Sequence, residues 1–287
     1  MRNVRIGCPA FILRDLLYED FAGTMEKVGK IGFDGIELIG FFGHPAEEIR
    51  DICLSNRLEP FGCFVILPDL LCEDTGAAAE EEDPRSLMTA MKAPGRTPDE
   101  KFSYIKEIGC SYISLGIPRE QTAEEFAGQV KKLLPCARKY GMAVQYHNHG
   151  YEYVKDSDGT WWMDRILEKC PREMLFEPDL GWMGIAGCDW QDGIRRHTGR
   201  IKAMHMKDYY RSGKNRLDAS KEHVFLPTGY GVMDWTSILE YCEKEIRPDW
   251  YVCDHDKAYD GDIIEELRLS FRFLKKKLEY LSAECGD

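Results

Sequence analysis

Histidine is scarce in this chain, with seven in 287 residues. Several other features are missing altogether. The eleven cysteines stand singly and never as C-x-x-C, which excludes zinc-ribbon and thioredoxin-type spacings and fits buried apolar thiols in a reducing compartment. No apolar run reaches the roughly 18 residues of a membrane span, and "MRNVRIGCPAFIL" carries Arg5 inside its apolar stretch, unlike a signal peptide. Positive charge is also short. Thirty-eight Lys and Arg face 50 Asp and Glu for a net charge of −12, so a nucleic-acid groove is not expected. Neither G-x-G-x-x-G after the first strand nor G-x-x-x-x-G-K-[ST] occurs, which removes the markers of a nucleotide-binding open sheet. These absences together predict a soluble, cytoplasmic, acidic protein without membrane or nucleic-acid partners.

What is present is a regular alternation. Short apolar runs at 4–8, 35–39, 58–66, 112–117, 142–149, 174–182, 201–208 and 250–256 read as strands. Amphipathic runs between them, including 18–32, 46–56, 98–109, 122–141, 233–246 and 261–281, read as helices. Gly32, Gly109 and Gly141 stand where helix C-caps should fall. Several strands are apolar on both faces, as in a parallel sheet covered on both sides. Eight strand–helix units in this length predict an α/β fold, a single (β/α)8 TIM barrel over residues 1–287. Two long segments, 67–97 and 209–232, follow strands and so belong to the face where catalytic groups gather. A lid or a subunit contact in a homo-oligomer would suit them.

Titratable residues collect at the strand ends. "QYHNHGYEY" (145–153) ends the fifth strand in His147 and His149, with Glu152 beyond. Asp179 stands on the sixth strand, His205 on the seventh followed by Lys207 and Asp208, and Asp254, His255 and Asp256 on the eighth. Residues i and i+2 of a strand face one way, so His147 and His149 share a face of the barrel mouth. Imidazoles and carboxylates converging there make a divalent-metal site by ligand chemistry.

The segments "GFDGIEL", "YHNHGYEY", "PDLGW", "HMKD", "GYGVMDW" and "WYVCDHD", in that order and over nearly the whole chain, resemble the sugar phosphate isomerase/epimerase family of xylose isomerase-like barrels. The resemblance implies one divalent metal held by His147, Asp179, His205 and Asp254. Two positions depart from the sugar epimerases of that family: His147 stands in place of a glutamate, and Asp254 in place of the longer glutamate. Trp182 stands where ketose epimerases have histidine.

Two histidines and two aspartates suit Mn²⁺, Co²⁺ or Zn²⁺, with Mg²⁺ a further candidate. A metal on the carbonyl and hydroxyl oxygens of a sugar or polyol would acidify the neighbouring C–H and stabilise an enediolate. The expected reaction is therefore isomerisation or epimerisation. His149 or His147 is expected as one acid/base, and Asp254 or Glu152 as the other. Glu37, Trp182, Lys207 and Asp208 are expected to meet substrate; Lys207 is expected to hold an oxyanion or, in preference, to pair with Asp208. The same enolate supports a lyase, either dehydrating a keto-inositol or eliminating from a keto-glycoside. A non-catalytic sugar-binding barrel and a phosphodiesterase of endonuclease type are further alternatives, the last opposed by the −12 charge.

Overall fold

The computed structural model describes residues 4–72, 86–116, 121–211 and 223–284. Eight parallel strands form one sheet in the order β6-β5-β4-β3-β2-β1-β10-β7. They are β1 (Arg5–Pro9), β2 (Gly35–Leu38), β3 (Glu59–Phe64), β4 (Tyr112–Leu115), β5 (Ala143–His147), β6 (Leu175–Glu177), β7 (Ala203–His205) and β10 (Trp250–Val252). Two parallel bridges, Phe176↔Ile201 and Asp179↔His205, join the sheet's outer strands β6 and β7 and bring it close to a full barrel. The expected (β/α)8 architecture is present. No described helix is long and apolar enough to cross a membrane.

Local chemistry sets the helix limits. Thr122 and Glu125 form a reciprocal capping box at the start of Ala123–Lys139, and Thr97 caps Pro98–Ile108. Gly32 and Gly109 close their helices at φ 109° and 111°, a left-handed conformation that glycine adopts without steric cost. Asp20 divides the run expected as one helix over 18–32. Its side chain accepts from Gly23 N, so Arg14–Glu19 and Phe21–Ile31 are separate helices.

The interior is filled at its lower end. Phe61 and Trp250 stack with centroids 4.0 Å apart. Gly35 is required beside them, because a Cβ there would lie 2.5 Å from the Glu59 carbonyl oxygen and 2.6 Å from Trp250. With that end plugged by aromatic rings, the cavity lined by polar side chains lies toward the C-terminal ends of the strands.

Two expected strands are shorter than their apolar runs, for identifiable reasons. The run 174–182 gives only Leu175–Glu177, because Pro178 has no N–H for the ladder and Asp179 N-caps a helix, Leu180–Ile185. The run 201–208 stops at His205. Asp208 then begins a separate antiparallel hairpin, β8 (Asp208–Arg211) with β9 (His223–Leu226), inside the segment expected to be a loop. Within 67–97, Leu67–Leu71 and Leu87–Ala90 are helical. The acidic stretch Glu80–Asp83 lies outside the described residues.

Candidate active site

Strand register assembles the polar cluster. On β5 and β6, His147 is the Cα partner of Glu177; Asp179 bridges His205 of β7. The β2–β3 register shifts between Ile36 and Glu37, an irregularity of the kind that re-aims a side chain. Glu37 thereby lies beside the cluster. Its Oε2 is 2.9 Å from His205 Nε2, and its Oε1 accepts from the Ser114 hydroxyl at 2.6 Å. His205 Nδ1 lies 2.9 Å from Asp254 Oδ2. With a carboxylate on each nitrogen, His205 has the contacts of an imidazolium, which donates twice.

Lys207 is the second cation and is 1 % exposed. Its Nζ lies 2.7 Å from Asp179, 2.9 Å from Asp254 and 2.6 Å from Asp256. The expected pairing of Lys207 with Asp208 does not form. Asp208 instead accepts backbone N–H groups of Tyr209, Gly229, Gly231 and Met233 and the Trp235 indole N–H. That carboxylate is fully engaged in holding the segment after β9, and it does not line the cavity expected of a substrate ligand.

The cavity itself is about 400 Å³. Glu37, His147, His149, His205, Lys207, Asp254 and Asp256 line its polar side; Pro9, Phe11, Leu38, Ile39, Phe64, Met91 and Trp182 form the apolar wall. Trp182 stands 5.3 Å from Lys207 Nζ, a cation–π distance. The ring centroids of His147 lie 4.4 Å from His205 and 5.3 Å from His149.

Glu152 is completely buried and sits behind His149 rather than in the cavity. It accepts the His149 main-chain N–H at 2.9 Å and the Tyr146 hydroxyl at 2.9 Å, while His149 Nδ1 lies 3.9 Å away. Its place is that of a group positioning His149. The His149 ring also stacks on Tyr151 at 5.6 Å with an interplanar angle of 10°.

These environments separate the protonation states. Burial, and then the positive charges of His205, His149 and Lys207, hold His147 well below the ordinary imidazole value. Burial would also lower His205, but the hydrogen bonds and charges of Asp254 and Glu37 outweigh it and hold the ring well above. Burial likewise opposes charge on Lys207 and is overcome by Asp179, Asp254 and Asp256. Asp254 is pulled below the carboxylate range by Lys207 and His205 against its burial. Glu177 is pushed well up by burial and by Glu37.

Among the described residues, two groups of buried ligand-type side chains could hold a metal ion. They are His147, Glu177 and His205, and Asp179, His205 and Asp254, each with donor atoms within 4.8 Å of one another. Buried donor atoms of His147, Glu177 and Asp254 have no hydrogen-bond partner, which is the chemistry a divalent cation satisfies. Glu177 is the member the sequence reading missed. Its signal was available, since "FEPD" puts Glu177 two residues before Asp179 by the same i, i+2 rule that pairs the histidines. Gln145, two before His147, was missed in the same way; it donates to Glu177 at 2.7 Å and to Ser114 at 2.9 Å.

Comparison with known proteins agrees with this architecture. The family model described as "Xylose isomerase-like TIM barrel" matches residues 25–277. An inosose dehydratase of Geobacillus thermodenitrificans is 25% identical over 166 residues, a match spanning 55% of this chain and 53% of that protein. One from Lactiplantibacillus plantarum is 21% identical over 262 residues, spanning 86% and 85%. Among solved structures, a sugar phosphate isomerase/epimerase from Parabacteroides distasonis superposes with a TM-score of 0.69 at 21% identity, covering 96% of this chain and 98% of that one.

Proposed function

Since the chain belongs to the xylose isomerase-like TIM-barrel family, we propose that it is a metal-dependent lyase removing water from a keto-polyol of the keto-inositol type. The observation that carries this is where the proton-transfer groups stand. The cavity carboxylates are each tied to a cation: Glu37 to His205, Asp254 to His205 and Lys207, and Asp256 to Lys207. The two remaining acid–base groups, His147 and His149, come from one strand end. Epimerisation with inversion needs an acid and a base on opposite faces of a carbon. Elimination can run with one group on one face.

His149 is the more accessible imidazole, with its side chain 37% exposed against 7% for His147. In the proposed reaction it takes the proton from the carbon next to the ketone. Electrons of that C–H bond move to the carbonyl oxygen as an enolate, against the positive field of Lys207. They then return to form the C=C bond as the β C–O bond breaks. His149 gives its proton to the departing hydroxide, so one water leaves and the base is regenerated. Buried Glu152 holds the His149 main chain throughout. A divalent cation held in the ring of His147, Glu177, Asp179, His205 and Asp254 would supply Lewis acidity at the ketone and hydroxyl oxygens, with Mn²⁺, Co²⁺ or Zn²⁺ suited to the mixed donors.

Three curated relatives named for inosose dehydration support the reading. An isomerase or epimerase shares the first proton transfer and differs in returning the proton to carbon. Incubation of purified protein with keto-inositols and ketoses, followed by NMR, separates the two. A product lighter by one water is expected from a keto-inositol. A product of unchanged mass would replace the lyase reading with the isomerase one.

A further inference from the structure

The cavity offers hydrogen bonds on one side only. In the strand order β1 and β5 stand equally far apart in either direction round the barrel, so their ends face each other across the mouth. The β5 end brings His147 and His149, with Trp182 and Lys207 following β6 and β7. Opposite them lie Pro9 at the end of β1, Phe11 in the one-turn helix Phe11–Leu13, Leu38 and Ile39 at the end of β2, and Met91. None of these five side chains carries a nitrogen or an oxygen. The acidic residues nearest to them are turned away, Glu37 to His205 and Ser114, and Asp254 and Asp256 to Lys207.

This apolar wall is fixed in place. Met91 follows the helix Leu87–Ala90, and the Ala90 carbonyl accepts the Phe41 N–H at 3.3 Å. Gly40 sits at φ 103°, and a Cβ there would lie 2.3 Å from the same carbonyl oxygen. Only glycine lets the two segments close so tightly. Ile39 and Met91 are 8% and 7% exposed, and Phe11 is half-buried.

A bare keto-inositol does not match such a wall. Its ring carries hydroxyls all round the rim, and those turned to Phe11, Ile39 and Met91 would be buried without side-chain partners. It is also small. About twelve non-hydrogen atoms, packed as in a protein interior, fill roughly half of a cavity of about 400 Å³.

We propose that the substrate is a keto-polyol carrying an apolar substituent about one ring in size. The polyol lies on the histidine side and the substituent against Phe11, Ile39 and Met91. The reaction is unaltered: the ketone end loses water and the substituent stays attached. This substrate class rests on the reading of the histidine side as the reacting end, and narrows what that end belongs to.

The test is calorimetry on protein saturated by Co²⁺ titration, with inositol and its isomeric mono-O-benzyl ethers as ligands. None of them has a ketone, so none can eliminate, and binding alone is read. Burying about 60 Å² of apolar surface is worth roughly tenfold, so the best ether should bind at least about tenfold tighter than inositol. Phe11→Ala and Met91→Ala should each shrink that preference several-fold and leave inositol affinity unchanged, with circular dichroism confirming the fold. Ethers that bind no tighter than inositol, or not measurably, would overturn the proposal. So would a preference that survives intact in both folded variants. Product mass from a keto-inositol judges the lyase reading separately, so either can fail without the other.

Discussion

At the scale of single residues, groups that act stand apart from groups that position. His149 lines the cavity; Glu152 stands behind it, buried and bonded to the His149 main chain and to Tyr146. Loss of a general acid–base typically costs about 10²- to 10⁴-fold. His149→Ala should therefore lower kcat by that range while leaving the Co²⁺ titration intact. Glu152→Gln should lower kcat less, since the Gln carbonyl oxygen keeps an acceptor for the His149 N–H while its amide NH2 can donate to the Tyr146 hydroxyl oxygen. Steady-state kinetics of the two variants check this, and equal losses would make Glu152 more than a positioning group. The legibility of residues followed how local their signals were. The i, i+2 spacing placed His147 correctly beside the cavity but could not say what would neutralise Lys207. Its partners Asp179, Asp254 and Asp256 come from two other strand ends, whereas sequence proximity pointed to Asp208.

At the scale of elements, apolar runs located the strands and overstated their lengths. The sixth strand ends where Pro178 removes an N–H, and the seventh where Asp208 turns the chain into a hairpin. Asp208 illustrates why a charged residue next to a site motif is an ambiguous sign. Its carboxylate accepts five donors from the segment between Tyr209 and Trp235. A Cβ on Gly231 would come within 2.1 Å of it. Asp208→Ala leaves these donors without their acceptor in a buried place, and one buried unsatisfied donor already costs about 1–3 kcal/mol. We expect a destabilisation of at least about 3 kcal/mol in urea unfolding, with Co²⁺ affinity retained by whatever folded protein remains. An unchanged unfolding midpoint would show that the segment does not depend on Asp208.

At the scale of the whole molecule, the barrel was legible because eight strand–helix units in this length leave few other closures. The composition and missing nucleotide motifs removed the main competitor. The eighth strand end is tied down separately from the site. His255 next to Asp254 is fully buried and lies 2.9 Å from Glu266, which also accepts the N–H groups of Tyr259 and Asp260 at 2.7 and 2.9 Å. Although burial opposes it, these bonds bring Glu266 from an ordinary 4.5 down to about 2. The folded value is the lower one, so the contribution is fully present above about pH 4.5 and is lost as pH falls towards 2. Urea unfolding across that window should show a shallower acid-side decline for Glu266→Gln than for wild type. Parallel declines would remove Glu266 from the acid response.

The central claim is that one imidazole carries a proton from carbon to a departing hydroxide. It is tested most directly by mass spectrometry of the products from a keto-inositol deuterated next to its carbonyl, incubated with the metal-loaded protein. The account predicts an unsaturated product that has lost both the deuterium and one hydroxyl, with the rate falling in His149→Ala. A product that keeps every oxygen, whether or not the deuterium has washed out, would contradict it.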